Sequence, residues 1–238
     1  MGMKQLDGRL DCIAQMVPPS RTVVDVGTDH GLLIAYLVDQ GVAQRGIATD
    51  INAAPLAKAS TLLRRRGLTR RVDALLTDGL RGLDRGTIDT VVLAGMGGEL
   101  ILRILLEWPH HRTPGITYLL QPMTKASRLR AALWRAGFCL RVERCCTAGG
   151  RGYTVMLADW VGVPQLYLPW QPYVGKLTPR CQEDAAYLEG YRRHLLTVAA
   201  AREAAAHDPA AGQALRTAAA HLAQQLAPYA QLLPGGTP

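Results

Sequence analysis

Thr22-Val23-Val24-Asp25-Val26-Gly27-Thr28-Asp29-His30-Gly31 is the stretch on which the fold turns, with Asp50 about 20 residues further on. A short β-branched run ends on a carboxylate and then on two glycines. Such a run suits a buried strand, and glycine lets the chain turn at positive φ and lets a ligand approach the backbone. Gly46-Ile47-Ala48-Thr49-Asp50 predicts a second strand that also ends on an acidic residue. A carboxylate there can accept both hydroxyls of a ribose, as at the carboxyl edge of nucleotide-binding α/β sheets.

The spacing of the glycines bears on which nucleotide. A dinucleotide site needs Gly-x-Gly-x-x-Gly to approach a pyrophosphate. This chain has Gly27-x-x-x-Gly31, flanked by Asp25 and Asp29. Those carboxylates would repel a pyrophosphate and attract the sulfonium and ammonium of S-adenosylmethionine. An NAD-dependent dehydrogenase is therefore disfavoured.

Working outward, apolar stretches alternate with helical patterns as far as residue 160, the signature of a doubly wound parallel sheet. The spacing of Leu6, Leu10, Ile13, Ala14 and Val17 predicts a short helix that ends at Pro18-Pro19. Strands are predicted near 22–26, 45–50, 72–76, 88–94 and 116–121, with helices over 31–40, 53–66, 98–107 and 124–136. Segments 138–146 and 152–159 favour β structure and flank Ala148-Gly149-Gly150-Arg151, which predicts a terminal edge hairpin. The fold class is thus α/β, a Rossmann-type seven-stranded doubly wound sheet over residues 1–160.

After Trp160 the character changes. Pro164, Pro169, Pro172 and Pro179 predict a stiff connector over 161–180 rather than a core segment. Leu188, Tyr191, Leu195 and Val198 then fall at helical spacing, as do Leu215, Ala219, Leu222 and Leu226. His207-Asp208-Pro209 breaks the helix between them. Residues 161–238 therefore read as a connector followed by a C-terminal helical hairpin, a short coiled coil.

Composition narrows the partners. Of 27 basic and 19 acidic residues, residues 1–160 hold 21 and 14, so the surplus sits with the cofactor-binding part and suits an anionic partner. Only 4 of the 27 are Lys, so part of the arginine usage reflects composition alone. Five cysteines without Cys-x-x-Cys indicate neither a disulfide framework nor a zinc site. The charged start Met-Gly-Met-Lys-Gln-Leu-Asp is unlike a signal sequence, and no apolar run approaches the ~20 residues of a membrane span. A cytoplasmic monomer that binds no metal and no membrane is expected.

Several turns carry candidate chemistry. Asp29-His30 faces the carboxyl edge and is the candidate catalytic pair. Asp25, Gly27, Gly31, Asp50 and Ile51 are candidates for the cofactor, as are Asp78 and Gly79, where Asp and the next amide can read an adenine. Ala94-Gly95-Met96-Gly97-Gly98 ends the fourth strand, where methyltransferases position the acceptor, but without the Asn-Pro-Pro-Tyr-like tetrapeptide of exocyclic-amine enzymes. Gly95 is assigned to the cofactor, and Met96 and Gly97 to the substrate. Gln121 ends the fifth strand and can bond a base edge through its amide or cap the turn. Arg64-Arg65-Arg66, widened by arginines such as Arg128, Arg130 and Arg151, suits phosphates. Tyr153 suits stacking on RNA.

Together these residues resemble the bacterial tRNA (adenine-22-N1)-methyltransferase family across essentially the whole chain. The resemblance runs from Leu6-x-x-Arg9-Leu10 through Gly27-Thr28-Asp29-His30, Thr49-Asp50-Ile51-Asn52, Asp78-Gly79-Leu80, Gly95-Met96-Gly97-Gly98, Leu120-Gln121-Pro122 and Tyr153. It implies an enzyme with S-adenosyl-L-methionine as cofactor, methylating ring N1 of adenine 22 in the D-arm region of tRNA. The family usually carries Asn where this chain has Met123. A methyltransferase for another RNA base, or a non-catalytic RNA-binding protein of the same fold, are the rival readings.

Overall fold

The computed structural model describes residues 6–204 and 208–233, which leaves His207 of the predicted helix break and the first five residues outside the described part. Seven strands form one sheet: β1 (Ser20–Val26), β2 (Ala43–Asp50), β3 (Val72–Leu76), β4 (Ile88–Gly97), β5 (Thr117–Thr124), β6 (Phe138–Ala148) and β7 (Arg151–Trp160). Their order is β3-β2-β1-β4-β5-β7-β6. The first five are parallel, while β7 pairs antiparallel with both β5 and β6. The expected terminal hairpin is present, with its second strand placed inside and its first at the edge.

Helices α1 (Gly8–Met16), α2 (Leu32–Asp39) and α3 (Ala53–Arg65) cover one face. Ile13, Ile34, Leu37 and Leu63 bury there against Val23 and Val92. Helices α4 (Gly98–Glu107) and α5 (Ala126–Arg135) cover the other, where Ile101, Leu105, Leu129 and Leu133 meet Val24, Leu93 and Tyr118. Central strands enclosed on both faces explain the nearly continuous apolar runs in the sequence. Chain direction across the sheet reverses between β1 and β4, so the crevice beyond their carboxyl ends lies at the switch point where ligands bind in open α/β sheets.

The proline-rich stretch is more than the expected connector. It forms the short helix α6 (Gln171–Val174), and Val174 and Leu177 are buried in a third core. That core joins Cys145 of β6 to Leu188, Leu195, Leu215 and Leu222 of α7 (Gln182–Ala204) and α8 (Pro209–Leu226). Asp208 caps α8, its side chain accepting from the Ala211 amide. Beneath the junction, Arg130 of α5 is fully buried, contrary to its expected place in a surface patch. Its Nε donates to Glu143 Oε1 at 2.8 Å and its Nη1 to the Pro172 carbonyl at 2.8 Å. Glu143 also accepts from the Lys176 amide at 2.5 Å. The segment turns there at Gly175 (φ 63°), where any Cβ would strike Glu143 and Arg130.

Candidate functional site

At the end of β1 the chain turns through Gly27 (φ 68°), Asp29 (φ 51°) and Gly31 (φ 71°). A Cβ on Gly27 would lie 2.5 Å from Met96 Cε, so this glycine leaves room for the β4 loop to close over the turn. Asp29 is not a glycine yet holds a left-handed φ, an arrangement that costs about 1 kcal/mol or more. The turn is tied down by amides of Gly27 and Thr28 donating to the Thr49 carbonyl, and by the Asp29 amide donating to Asp50 Oδ2 at 3.3 Å. The loops of β1 and β2 are thus one hydrogen-bonded unit.

Four carboxylates line this edge in different states. Asp25 is buried and accepts from Thr28 Oγ1 at 2.6 Å. Burial pushes its carboxyl up from 3.8 to about 6, opposed by the Thr28 hydrogen bond and the nearby Arg9 charge and reinforced by Asp50. Asp50 is buried at the end of β2, with Oδ1 accepting from the Asn52 amide at 2.8 Å. Asp29 is exposed and its Oδ2 lies 2.8 Å from His30 Nδ1. Asp78 lies 3.6 Å from Arg103.

Apolar side chains stand beside these charges without covering. Ile51 is 63% exposed and Leu76, the register partner of Asp50 in β3, is 60% exposed. They offer apolar surface next to the Asp50 carboxylate, of the kind a flat heterocycle could cover. A cavity of about 210 Å³ opens alongside, lined by Arg9, Asp25, Gly27, Thr28, Asp29, His30 and Gly95. Carboxylates for an ammonium and a sulfonium, a guanidinium for a carboxylate, and apolar surface for a purine together fit S-adenosyl-L-methionine.

A second, more open cavity of about 510 Å³ shares Arg9 and Gly95 with the first and is walled by Asp7, Met123, Gly149 and Tyr153. Tyr153 lines this second cavity, and Met96 and Gly97 follow Gly95 at the end of β4 without lining it themselves. Gln121 does not face it: it is fully buried. Its Oε1 accepts from Arg9 Nη1 and from the Gly95 amide, each at 3.0 Å, and its Nε2 donates to the Pro122 carbonyl at 3.2 Å. Its amide caps the turn, which leaves nothing for a base edge.

Arg9 is the residue that sequence reasoning left without a role. It reaches the wall between the two cavities from α1, and Gln121 fixes its guanidinium there. Only its place in the family-like Leu6-x-x-Arg9-Leu10 pattern hinted at it. The Arg64–Arg66 cluster divides. Arg66 bonds Asp39 Oδ2 at 2.8 Å and is engaged within the fold. Arg64 and Arg65 are exposed and, among the described residues, make no ion pair or hydrogen bond. Arg128 is held by Glu99 at 3.1 Å. Among the described residues no three His, Cys, Asp or Glu side chains are placed to hold a metal, and no helix is long and apolar enough to cross a membrane.

Comparison with known proteins agrees with this geometry. Residues 6–156 match the family model described as a methyltransferase domain. The chain is 30% identical over 159 residues to the tRNA (adenine(22)-N(1))-methyltransferase of Bacillus subtilis, covering 67% of each chain. The crystal structure of the B. subtilis m1A22 tRNA methyltransferase superposes with a TM-score of 0.72 at 25% identity, covering 93% of this chain and 97% of that one. A Streptococcus pneumoniae protein solved with S-adenosyl-L-methionine shares the fold, with a TM-score of 0.73 at 24% identity over 90% of this chain and 97% of that one.

Proposed function

Because the chain belongs to the tRNA (adenine(22)-N(1))-methyltransferase family, we propose that it methylates ring N1 of adenine 22 in the D-arm region of tRNA, with S-adenosyl-L-methionine as cofactor. The observation that carries the reading is the pair of adjoining cavities at the switch point. The first holds the carboxylates and the guanidinium that suit the sulfonium and amino-acid end of the cofactor, the second is more open, and Arg9 and Gly95 belong to both.

Bound in the first cavity, the cofactor supplies a methyl group activated by a sulfonium. Asp50 holds the ribose, Ile51 packs on the purine, and Asp78 and Gly79 meet its edge. Asp25 with Gly27, Gly31 and Gly95 shapes the amino-acid end, where Arg9 is the cation available to a carboxylate. On the acceptor side Met96, Gly97 and Tyr153 orient the target base. Its N1 carries an in-plane lone pair and needs no base before attack. Holding nitrogen, carbon and sulfur in line is therefore the main source of acceleration. The methylated ring becomes a delocalised cation, and the Asp29 carboxylate, steered by His30, stabilises it electrostatically. N1 lies on the pairing edge, so the adenine enters unpaired or flipped.

The test is methyl transfer from labelled cofactor to bulk tRNA, with the product nucleotide mapped by mass spectrometry. The expected product is N1-methyladenosine at position 22. Modification elsewhere, or cofactor binding without transfer, would overturn the assignment.

A further inference from the structure

A third concavity lies beside the glycine turn, and apart from His30 and Arg65 the roles above do not draw on the residues that line it. It is an open groove of about 600 Å³ between the start of α2 and one face of α3. Ala57, Lys58, Thr61, Leu62 and Arg65 line it at helical spacing, and His30 and Leu32 form its opposite wall. His30 and Leu32 also line the cofactor-side cavity, so the groove continues the candidate site rather than standing apart from it.

Its chemistry is two-sided. Leu32, Leu62 and Ala57 provide an apolar floor, while Lys58 and Arg65 stand at the rim. Neither cation is paired among the described residues, and no carboxylate lines the groove. Two carboxylates of the adjoining elements are engaged elsewhere: Asp39 bonds Arg66 and Asp29 bonds His30. Apolar floor with unneutralised cations along one rim suits an unstacked nucleotide, with base and sugar on the floor and phosphates at the rim.

We propose that this groove is a second subsite for the RNA substrate, seating a single-stranded nucleotide other than the methylated one. It rests on the methyltransferase reading, and on the continuity of the groove with the cofactor cavity through His30 and Leu32. A tRNA held at both the acceptor cavity and the groove spans the cofactor and is fixed in register about it.

Two variants test this. Lys58→Gln with Arg65→Gln removes both rim cations at little cost in helix propensity. Thr61→Glu, at a half-buried position on the groove wall, adds a carboxylate one turn from Arg65. Binding of bulk tRNA should weaken about tenfold at low salt in each. In the double variant the log-affinity against log-salt slope should be shallower by about 1.4–1.8, as two lost phosphate contacts require. Calorimetric affinity for S-adenosyl-L-methionine and the thermal midpoint should stay as in wild type. Arg112→Gln, an exposed charge change far from the groove in the loop before β5, should leave the slope unaltered.

Unchanged tRNA affinity and slope in a wild-type protein that does methylate tRNA would overturn the subsite and leave the enzymatic reading standing. A change in sedimentation with tRNA binding intact would give the groove to a second copy of the chain and would equally overturn it. Absence of methyl transfer by the wild type is a failure of the enzymatic reading, seen before any variant is made.

Discussion

Two carboxylates at the ends of neighbouring strands are expected to behave differently. At the end of β2, Asp50 accepts from the Asn52 and Asp29 amides. Replacing it by Ala removes a charge-assisted acceptor and should cost about 1.5–3 kcal/mol of cofactor affinity by calorimetry. Asp25 has a pH dependence of its own, because burial raises its carboxyl to about 6. A raised folded value favours the protonated form, so its contribution to stability is fully present below 3.8 and is lost as pH rises through about 6. Cofactor binding has the opposite sense, since an ammonium pairs only with the ionised form. Affinity should therefore fall up to about tenfold per unit as pH drops below 6, and Asp25→Asn should flatten that dependence. A flat wild-type profile would confine Asp25 to holding the turn through Thr28. Asp29→Asn keeps shape and removes charge; single-turnover transfer at saturating cofactor should slow roughly tenfold to a thousandfold, with cofactor affinity measured separately by calorimetry.

Among the secondary-structure elements, strands and helices matched their expected places to within a few residues because glycine and proline mark most boundaries. Pro18-Pro19 follows α1, Gly67 follows α3, and Gly137 (φ 85°) separates α5 from β6. The candidate site was legible where it lies in short glycine turns, since local conformation alone brings Asp25, Gly27 and Asp29 together. It was not legible where burial decides. Gln121 looks the same in sequence whether it reads a base or anchors Arg9, and only the packing of α1 over the β4 and β5 ends settles which. Arg66 and Arg130 likewise lose their surface role to Asp39 and Glu143, partners 27 and 13 residues away. A contact of the same kind fixes β7 to α7. Any Cβ on Gly152 would clash with the Tyr187 ring. Gly152→Ala should cost about 1–3 kcal/mol in denaturant unfolding, as overpacking does.

For the whole molecule, the tail is bound into the stability of the sheet. Arg130 and Glu143 are both buried, and two of their partners, the Pro172 carbonyl and the Lys176 amide, come from the segment after Trp160. Glu143→Ala leaves a buried guanidinium without its counter-charge and should destabilise the protein by about 3–5 kcal/mol. Removing residues 161–238 should do more, because it also uncovers Cys145. We expect a sharply lowered thermal midpoint or insolubility rather than a folded domain with weaker tRNA binding. A truncated protein melting as the full chain does would show that the third core adds no stability to the first two.

Strand order has a consequence for how the chain is made. A ribosome delivers β6 before β7, yet β5 pairs with β7 and β6 lies beyond it. While residues 125–150 emerge, the nascent sheet ends on β5, whose Leu119 and Leu120 backbone has no partner on that side until Met156 and Leu157 arrive. An unpaired, apolar strand edge is a template for association with other chains. The one tight turn at Gly149-Gly150 shortens that interval, because β7 folds back on β6 as soon as it is synthesised. Lengthening this turn should leave the thermal midpoint of the mature protein almost unchanged while raising the fraction of newly made protein that a chaperone must rescue.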